Sequence, residues 1–347
     1  MTAFPEGPPG GLGPRLQARG ERWGHPPRKR GAHPHEAQGD DPGIDTASGS
    51  SRCYQVAHRT VYRYSDVVTS SYGRGFLTPR DSARQRCLSH VLVIDPEAAD
   101  SSTSRDAFGN VSSYFHVTER HRTLSITSRS VVEVDPPPAD FYDGGSSRAP
   151  WEIARPVGPD GALATEFTLD LQPAEITDEV RNYAAPSFEP GRPLVEVLRD
   201  LASRIHSDFT YRSGSTTVST QVNEVLTARE GVCQDFARLA IACLRTHGLA
   251  ASYVSGYLAT DPPPGKERMV GIDATHAWAS VWTPQNHWLG FDPTNNQMVD
   301  ERYITVGFGR DYADVPPLRG IIYTDSESSA IDVAVDVAPY QGDVLHA

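Results

Sequence analysis

From Tyr54 to Tyr64 every second position (Tyr54, Val56, His58, Thr60, Tyr62, Tyr64) suits a buried face, while Gln55, Arg59 and Arg63 fall between them. Successive side chains of a pleated backbone leave opposite faces, so a period of two predicts a strand buried on one side. The same alternation returns in "CLSHVLVI", "FGNVSSYFHV" and "RTLSITSRSVVEV", which are separated by turn-forming clusters such as "DAFGN". Residues 52–135 are therefore expected to form an antiparallel β domain. "DPPPADFYDGGSSRAP", from Asp135 to Pro150, is rich in Pro and Gly and begins a linker region expected over 136–165.

Beyond it the period changes. Leu194, Val197, Leu198, Leu201 and Ile205 recur at the spacing of one face of a helix of about four turns. A short helix is expected from Gln221 to Arg229. A third follows in "CQDFARLAIACLRTHG", with Phe236, Leu239, Ala240, Cys243 and Leu244 on one stripe and Gly248 as its stop. Strands then return in "ASYVSGYLA", "HAWASVWT" and "HWLGFD", with a last β stretch in "AIDVAVDV". These elements make 166–347 an α+β unit, helices first and sheet after.

Composition narrows the class. Residues 1–50 hold 8 Pro and 10 Gly and few large apolar side chains, so this tail is expected to be disordered. The chain carries 32 basic and 44 acidic side chains, a formal net charge of -12, which disfavours nucleic acid as a partner. The "RKR" cluster at Arg28–Arg30 lies in the tail and reads as solvated charge. No apolar run is long enough to span a bilayer and no signal peptide is evident, so a cytoplasmic location is expected. Cys53, Cys87, Cys233 and Cys243 show no paired spacing, which disfavours a disulfide framework.

The chemistry concentrates in three stretches. Cys233 follows a glycine and a valine and opens a helix, where unpaired backbone N–H groups and the positive end of the dipole favour thiolate. Cys243, mid-helix on the apolar stripe, belongs to the core. "ATHAWASVWTPQNHWLGFDPTN" reads as two strands joined by a turn centred on Gln285. That register puts His276 opposite Asp292 or one diagonal away, with both side chains on one face. A thiol, an imidazole and a carboxylate in the order Cys, His, Asp are the parts of a nucleophilic triad: the carboxylate orients the ring, and the ring activates the sulfur.

"GVCQDFARL", "DATHAWASV" and "GFDPTNN" resemble the Cys, His and Asp motifs of the bacterial transglutaminase-like superfamily. "VSGYL" and "GRDYADVPPLRG" are similar to its companion stretches, and "YQVAHRTVYRYSDVV", "LTPR" and "DAFGN" to its amino-terminal β domain. The resemblance implies a papain-like α+β core performing acyl transfer through a thioester on a protein or peptide substrate. Cys233 would be the nucleophile, His276 the general base and acid, and Asp292 the orienting group. The Cys233 N–H would supply one oxyanion donor, with Gln221, Gln234 and Asn223 open as the second. Gln234, Tyr257 and Trp278 are candidate substrate-binding residues. Trp278, Trp282 and Trp288 sit in strands where aromatics pack, which favours core or groove wall over substrate recognition; Asp235 could border the cleft, and Asn295 is expected to shape the turn.

Hydrolysis of peptide or amide bonds is favoured over transamidation, because no stretch announces an amine-acceptor site. A scaffold that keeps the fold without turnover is the alternative, and its usual mark, a missing triad member, is not found. "GFGRD" lacks the third glycine of a dinucleotide fingerprint. A zinc site lacks CxxC or HExxH spacing, and no calcium loop is present. The expectation is therefore no cofactor and no metal.

Overall fold

The structure, a computed structural model, describes residues 2–3, 50–159, 161–171, 173–260 and 275–342. The tail expected to be disordered lies outside the described residues, apart from Ser50 and the two-residue strand β1 (Thr2–Ala3).

An eight-stranded antiparallel sheet is organised around one long strand, β2 (Arg52–Gly75), whose inward Tyr54, Val56, His58, Thr60, Tyr62 and Tyr64 are all buried. Its first half pairs with β6 (His121–Val134), which in turn pairs with the edge strand β3 (Gln85–Asp95). Its second half pairs with β5 (Val111–Val117), which carries β4 (Asp100–Arg105). The alternation of "YQVAHRTVYRY" is realised as written.

After β6 the chain leaves this sheet. The segment expected as a linker packs: Tyr142 and Trp151 are buried, and the Tyr142 hydroxyl donates to the Val299 carbonyl at 2.7 Å. Three helices matter next: α1 (Asp178–Ala184), α2 (Leu194–Asp208) and, after the two-residue strand β7 (Thr210–Tyr211), α3 (Val222–Ala228). Leu194, Val197, Leu198, Leu201 and Ile205 of α2 are all buried, as their spacing requires. Strand β8 (Glu230–Gly231) pairs with β7 and leads into α4 (Cys233–Thr246), the buried central helix. Gly248, at φ 76°, closes α4 in a backbone region that a side chain rarely tolerates.

A second sheet covers α4. Its order is β12 (Gln297–Met298), β11 (Trp288–Asp292), β10 (Thr275–Trp282), β9 (Ala251–Leu258) and β13 (Tyr303–Gly309), all antiparallel. Ala277, Ala279 and Val281 turn one face of β10 into the core shared with α4.

The last two strands depart from the sequence reading. "AIDVAVDV" was expected among the strands of the second unit. Instead β14 (Leu318–Thr324) pairs with the second half of β2, and β15 (Ser329–Pro339) with the first half, from Tyr64 back to Tyr54. The reason is an open edge: β6 and β5 occupy only one side of β2, leaving a row of N–H and C=O groups that a second antiparallel partner satisfies. Val335 and Val337 then meet Tyr54, Val56, α2 and α4 in one continuous core. The helices and second sheet are thus spliced into the first sheet between β6 and β14.

Candidate active site

Cys233 is the first residue of α4, and its position is fixed by the residues around it. Val232 before it is extended, and the Asp235 carboxylate accepts the Val232 N–H at 2.9 Å and the Thr216 hydroxyl at 2.6 Å. Asp235 is thus the anchor of the helix start. Burial raises the Asp235 pKa, opposed by these two hydrogen bonds. The first-turn amides, that of Cys233 among them, have no partner inside the helix and lie ready for an anion. Cys243, three turns further on, is fully buried, and burial pushes its thiol up to about 12.

The β10–β11 hairpin has the register expected of a turn centred on Gln285, with Ala279 opposite Phe291 and Ser280 opposite Gly290. His276 and Asp292 therefore leave the same face. Their side chains meet, His276 Nε2 lying 2.7 Å from Asp292 Oδ2. A carboxylate only accepts, so Nε2 carries the proton and Nδ1 is left for the sulfur. Cys233 and His276 line the same cleft, and the sulfur helps to raise the pKa of the ring. The structure brings the three sequence-derived candidates into one cluster.

The carboxylate is held from several sides. Asp292 Oδ2 also accepts the Tyr303 hydroxyl at 2.7 Å and the Asn295 side-chain amide at 2.7 Å, while Oδ1 accepts the backbone N–H of Thr294 at 2.8 Å. Asn295 therefore does more than shape the turn. Burial would raise the Asp292 pKa, but His276 and the hydrogen bonds outweigh it and hold the group below its ordinary value. For His276 burial alone would lower the pKa; the Asp292 carboxylate, and then the Cys233 sulfur, outweigh it and raise it. The ring is thus poised to hold a proton in the cleft that Cys233 lines.

The other candidates separate. Gln234 lines the cleft beside Cys233 and is 1% exposed, and neither polar atom of its side chain has a hydrogen-bond partner among the described residues. Asn223 is engaged by the Thr177 hydroxyl at 2.8 Å, and Gln221 caps the start of α3. Tyr257 is buried beneath the cleft, its hydroxyl 3.0 Å from His58 Nδ1. Trp278 packs edge-on against Tyr303, with ring centres 5.2 Å apart, and borders a second cavity beneath the residue 80–85 segment rather than the cleft at Cys233. Trp282 lies in a satellite cluster with Phe167, against which Trp288 packs.

Sequence reasoning missed the cleft's far wall. His58, Thr60 and Tyr62 of β2, Leu318 of β14, and Ile331 and Val333 of β15 all face the thiol and imidazole. The period-two pattern showed that these residues point one way, but not that they point at Cys233. Tyr303 was missed for a similar reason, since a buried tyrosine in a strand normally reads as packing. Among the described residues no cluster of His, Cys, Asp and Glu could hold a metal ion, and no helix is long and apolar enough to cross a membrane.

Two sheets around a buried helix, with a thiol at that helix's start facing a histidine–carboxylate pair, define a transglutaminase-like protein. Comparison with known proteins agrees. Residues 54–133 match the bacterial transglutaminase-like N-terminal region, and residues 181–293 match the transglutaminase-like superfamily core. An uncharacterized Mycobacterium tuberculosis protein is 76% identical over 304 residues, covering 86% of this chain and 96% of the relative. A Mycobacterium leprae relative is 34% identical over 292 residues, covering 82% and 97%. A Pseudomonas aeruginosa protein-glutamine gamma-glutamyltransferase is 36% identical over 75 residues, covering 21% of this chain and 11% of that protein. A crystal structure from Cytophaga hutchinsonii, provisionally described as a cysteine protease, shares the fold with a TM-score of 0.63 at 19% identity, covering 85% and 96% of the two chains. The chain belongs to the bacterial transglutaminase-like superfamily.

Proposed function

We propose that the protein is a cysteine-dependent acyl-transfer enzyme acting on peptide or side-chain amides, with water as the favoured acceptor. The observation that carries this reading is the His276 ring, bonded through Nε2 to Asp292 and lining one cleft with Cys233 at the start of α4. The thiolate attacks the amide carbon and the carbonyl oxygen takes the charge. The Cys233 N–H stabilises that oxyanion, and the unpaired Gln234 amide is the second donor. As the C–N bond breaks, His276 delivers its proton to the leaving amine, and a thioester remains. His276 then takes a proton from water as water attacks the thioester, the C–S bond breaks, and the acid leaves while the thiolate and the protonated ring are restored.

Hydrolysis is preferred to transamidation because the described lining of the cleft offers no free carboxylate to seat an amine acceptor. The substrate is a protein or peptide. Four free cysteines fit a reducing compartment, in keeping with the cytoplasm. The expected outcome is that iodoacetamide alkylates Cys233 well below pH 8 and that His276→Ala slows this at least about tenfold. Ordinary thiol reactivity in both proteins, followed by intact mass, would remove the case for activation. Trapping the acyl-enzyme from a peptide library, with identification of the bound fragment, then names the substrate.

A further inference from the structure

The inference here deepens the reading of Cys233 as the acyl-accepting nucleophile and rests on it. None of the described residues lining the cleft in front of the sulfur is Asp, Glu, Lys or Arg, in a chain of which 22% of residues are charged. Asp292 sits behind His276, fully buried and spent on its own hydrogen bonds, and the Asp235 carboxylate is spent on the Val232 N–H and the Thr216 hydroxyl. The wall opposite the triad is apolar or aromatic at Tyr62, Leu318, Ile331 and Val333. Its described histidine is His58, whose Nδ1 meets the Tyr257 hydroxyl at 3.0 Å and Nε2 the Thr60 hydroxyl at 3.2 Å. Burial keeps that ring neutral. An ionised side chain entering here would shed its hydration and find no counter-charge among the described lining residues.

We propose that the acyl donor presents an uncharged, apolar or aromatic side chain to this wall, and that Tyr62, Leu318, Ile331 and Val333 select it. Selection is thus assigned to residues of the first sheet, while the triad comes from α4 and the second sheet. The β domain then has a direct task at the site: it forms the side-chain pocket of the cleft. Val333 and Ile331 are only partly buried, each packing against a core cluster on one side and lining the cleft, so a charge placed there reaches the cleft.

The test uses peptidyl chloromethyl ketones that differ only in the side chain next to the reactive carbon: Phe, Leu, Asp or Lys. The Cys233 sulfur bonds to the methylene carbon and chloride leaves. The expected result, read by intact mass on the full chain, is labelling by the Phe and Leu ketones at least about tenfold faster than by the Asp and Lys ketones. Val333→Asp should narrow or invert the gap between Lys and Phe; Ile331→Asp serves if the first variant does not melt cooperatively. Equal rates for all four, or faster labelling by a charged ketone, would overturn the proposal. Alkylation by iodoacetamide with no labelling by any ketone would also overturn it, while leaving the nucleophile standing. Slow iodoacetamide alkylation as well would bring down the catalytic reading and this proposal together.

Discussion

Asp292 accepts hydrogen bonds from His276, Tyr303, Asn295 and the Thr294 backbone, and Tyr303 could not be read from the triad motif. Tyr303 gives it a hydrogen bond at 2.7 Å from a strand that follows the hairpin by ten residues. Tyr303→Phe should therefore cost about 1.5–3 kcal/mol of stabilisation of the charged pair. Less support for the carboxylate means less support for imidazolium, so the His276 titration should move to lower pH. Ring NMR on wild type and variant checks this, and an unmoved titration would reduce Tyr303 to packing. His58 carries a second forecast. Burial pushes its folded pKa down to about 4, while an unfolded histidine takes up a proton near pH 6.5. The unfolded chain thus binds the proton first, so stability falls as pH drops from about 6.5 towards 4, by up to about 3 kcal/mol. Urea midpoints at pH 7 and pH 4.5 should differ more in wild type than in His58→Gln; equal differences would rule out this source of acid sensitivity.

At the level of elements, periodicity worked where an element has one buried and one wet face. The spacing in α2 and the alternation in β2 announced themselves because burial imposes those periods. Strand β4, "DSSTSR", is exposed at every position, so no pattern was there to read. The segment over 136–165 misled through its Pro and Gly content, since a few scattered aromatics such as Tyr142 and Trp151 were enough to pin it to the core. The start of α4 was legible as a place for a nucleophile, but its anchor was not. By position alone Asp235 reads as a residue bordering the cleft, whereas its carboxylate holds the Val232 N–H and the Thr216 hydroxyl. Asp235→Ala should cost about 1–2 kcal/mol as a lost cap, more if the freed amide stays dry. Thermal melts should show a drop of several degrees, and Cys233 alkylation at pH 6 should slow as the helix start loosens. A variant as stable and as reactive as wild type would show that the cap positions nothing.

Across the whole molecule, local pattern fixed what each strand is but not which strand it joins. Nothing in "AIDVAVDV" names a partner more than 250 residues away, yet Pro339 pairs with Tyr54. Because Tyr54, Val56, Val335 and Val337 lie in the same core as α2 and α4, the helical part does not close without the last strands. Ending the chain after residue 316 should therefore leave a protein with no cooperative melt and with a bare β2 edge that aggregates. A monomeric, cooperatively melting product in size-exclusion and thermal-melt measurements would argue for two independent units. The pairing of β15 with β2 also has a consequence for biosynthesis. During translation the strand that walls the thiol emerges about a hundred residues after the thiol itself, and long-range pairing is slow. A nascent chain on the ribosome would then hold Cys233 without its enclosure, and reactivity would be gated by the arrival of the final strand.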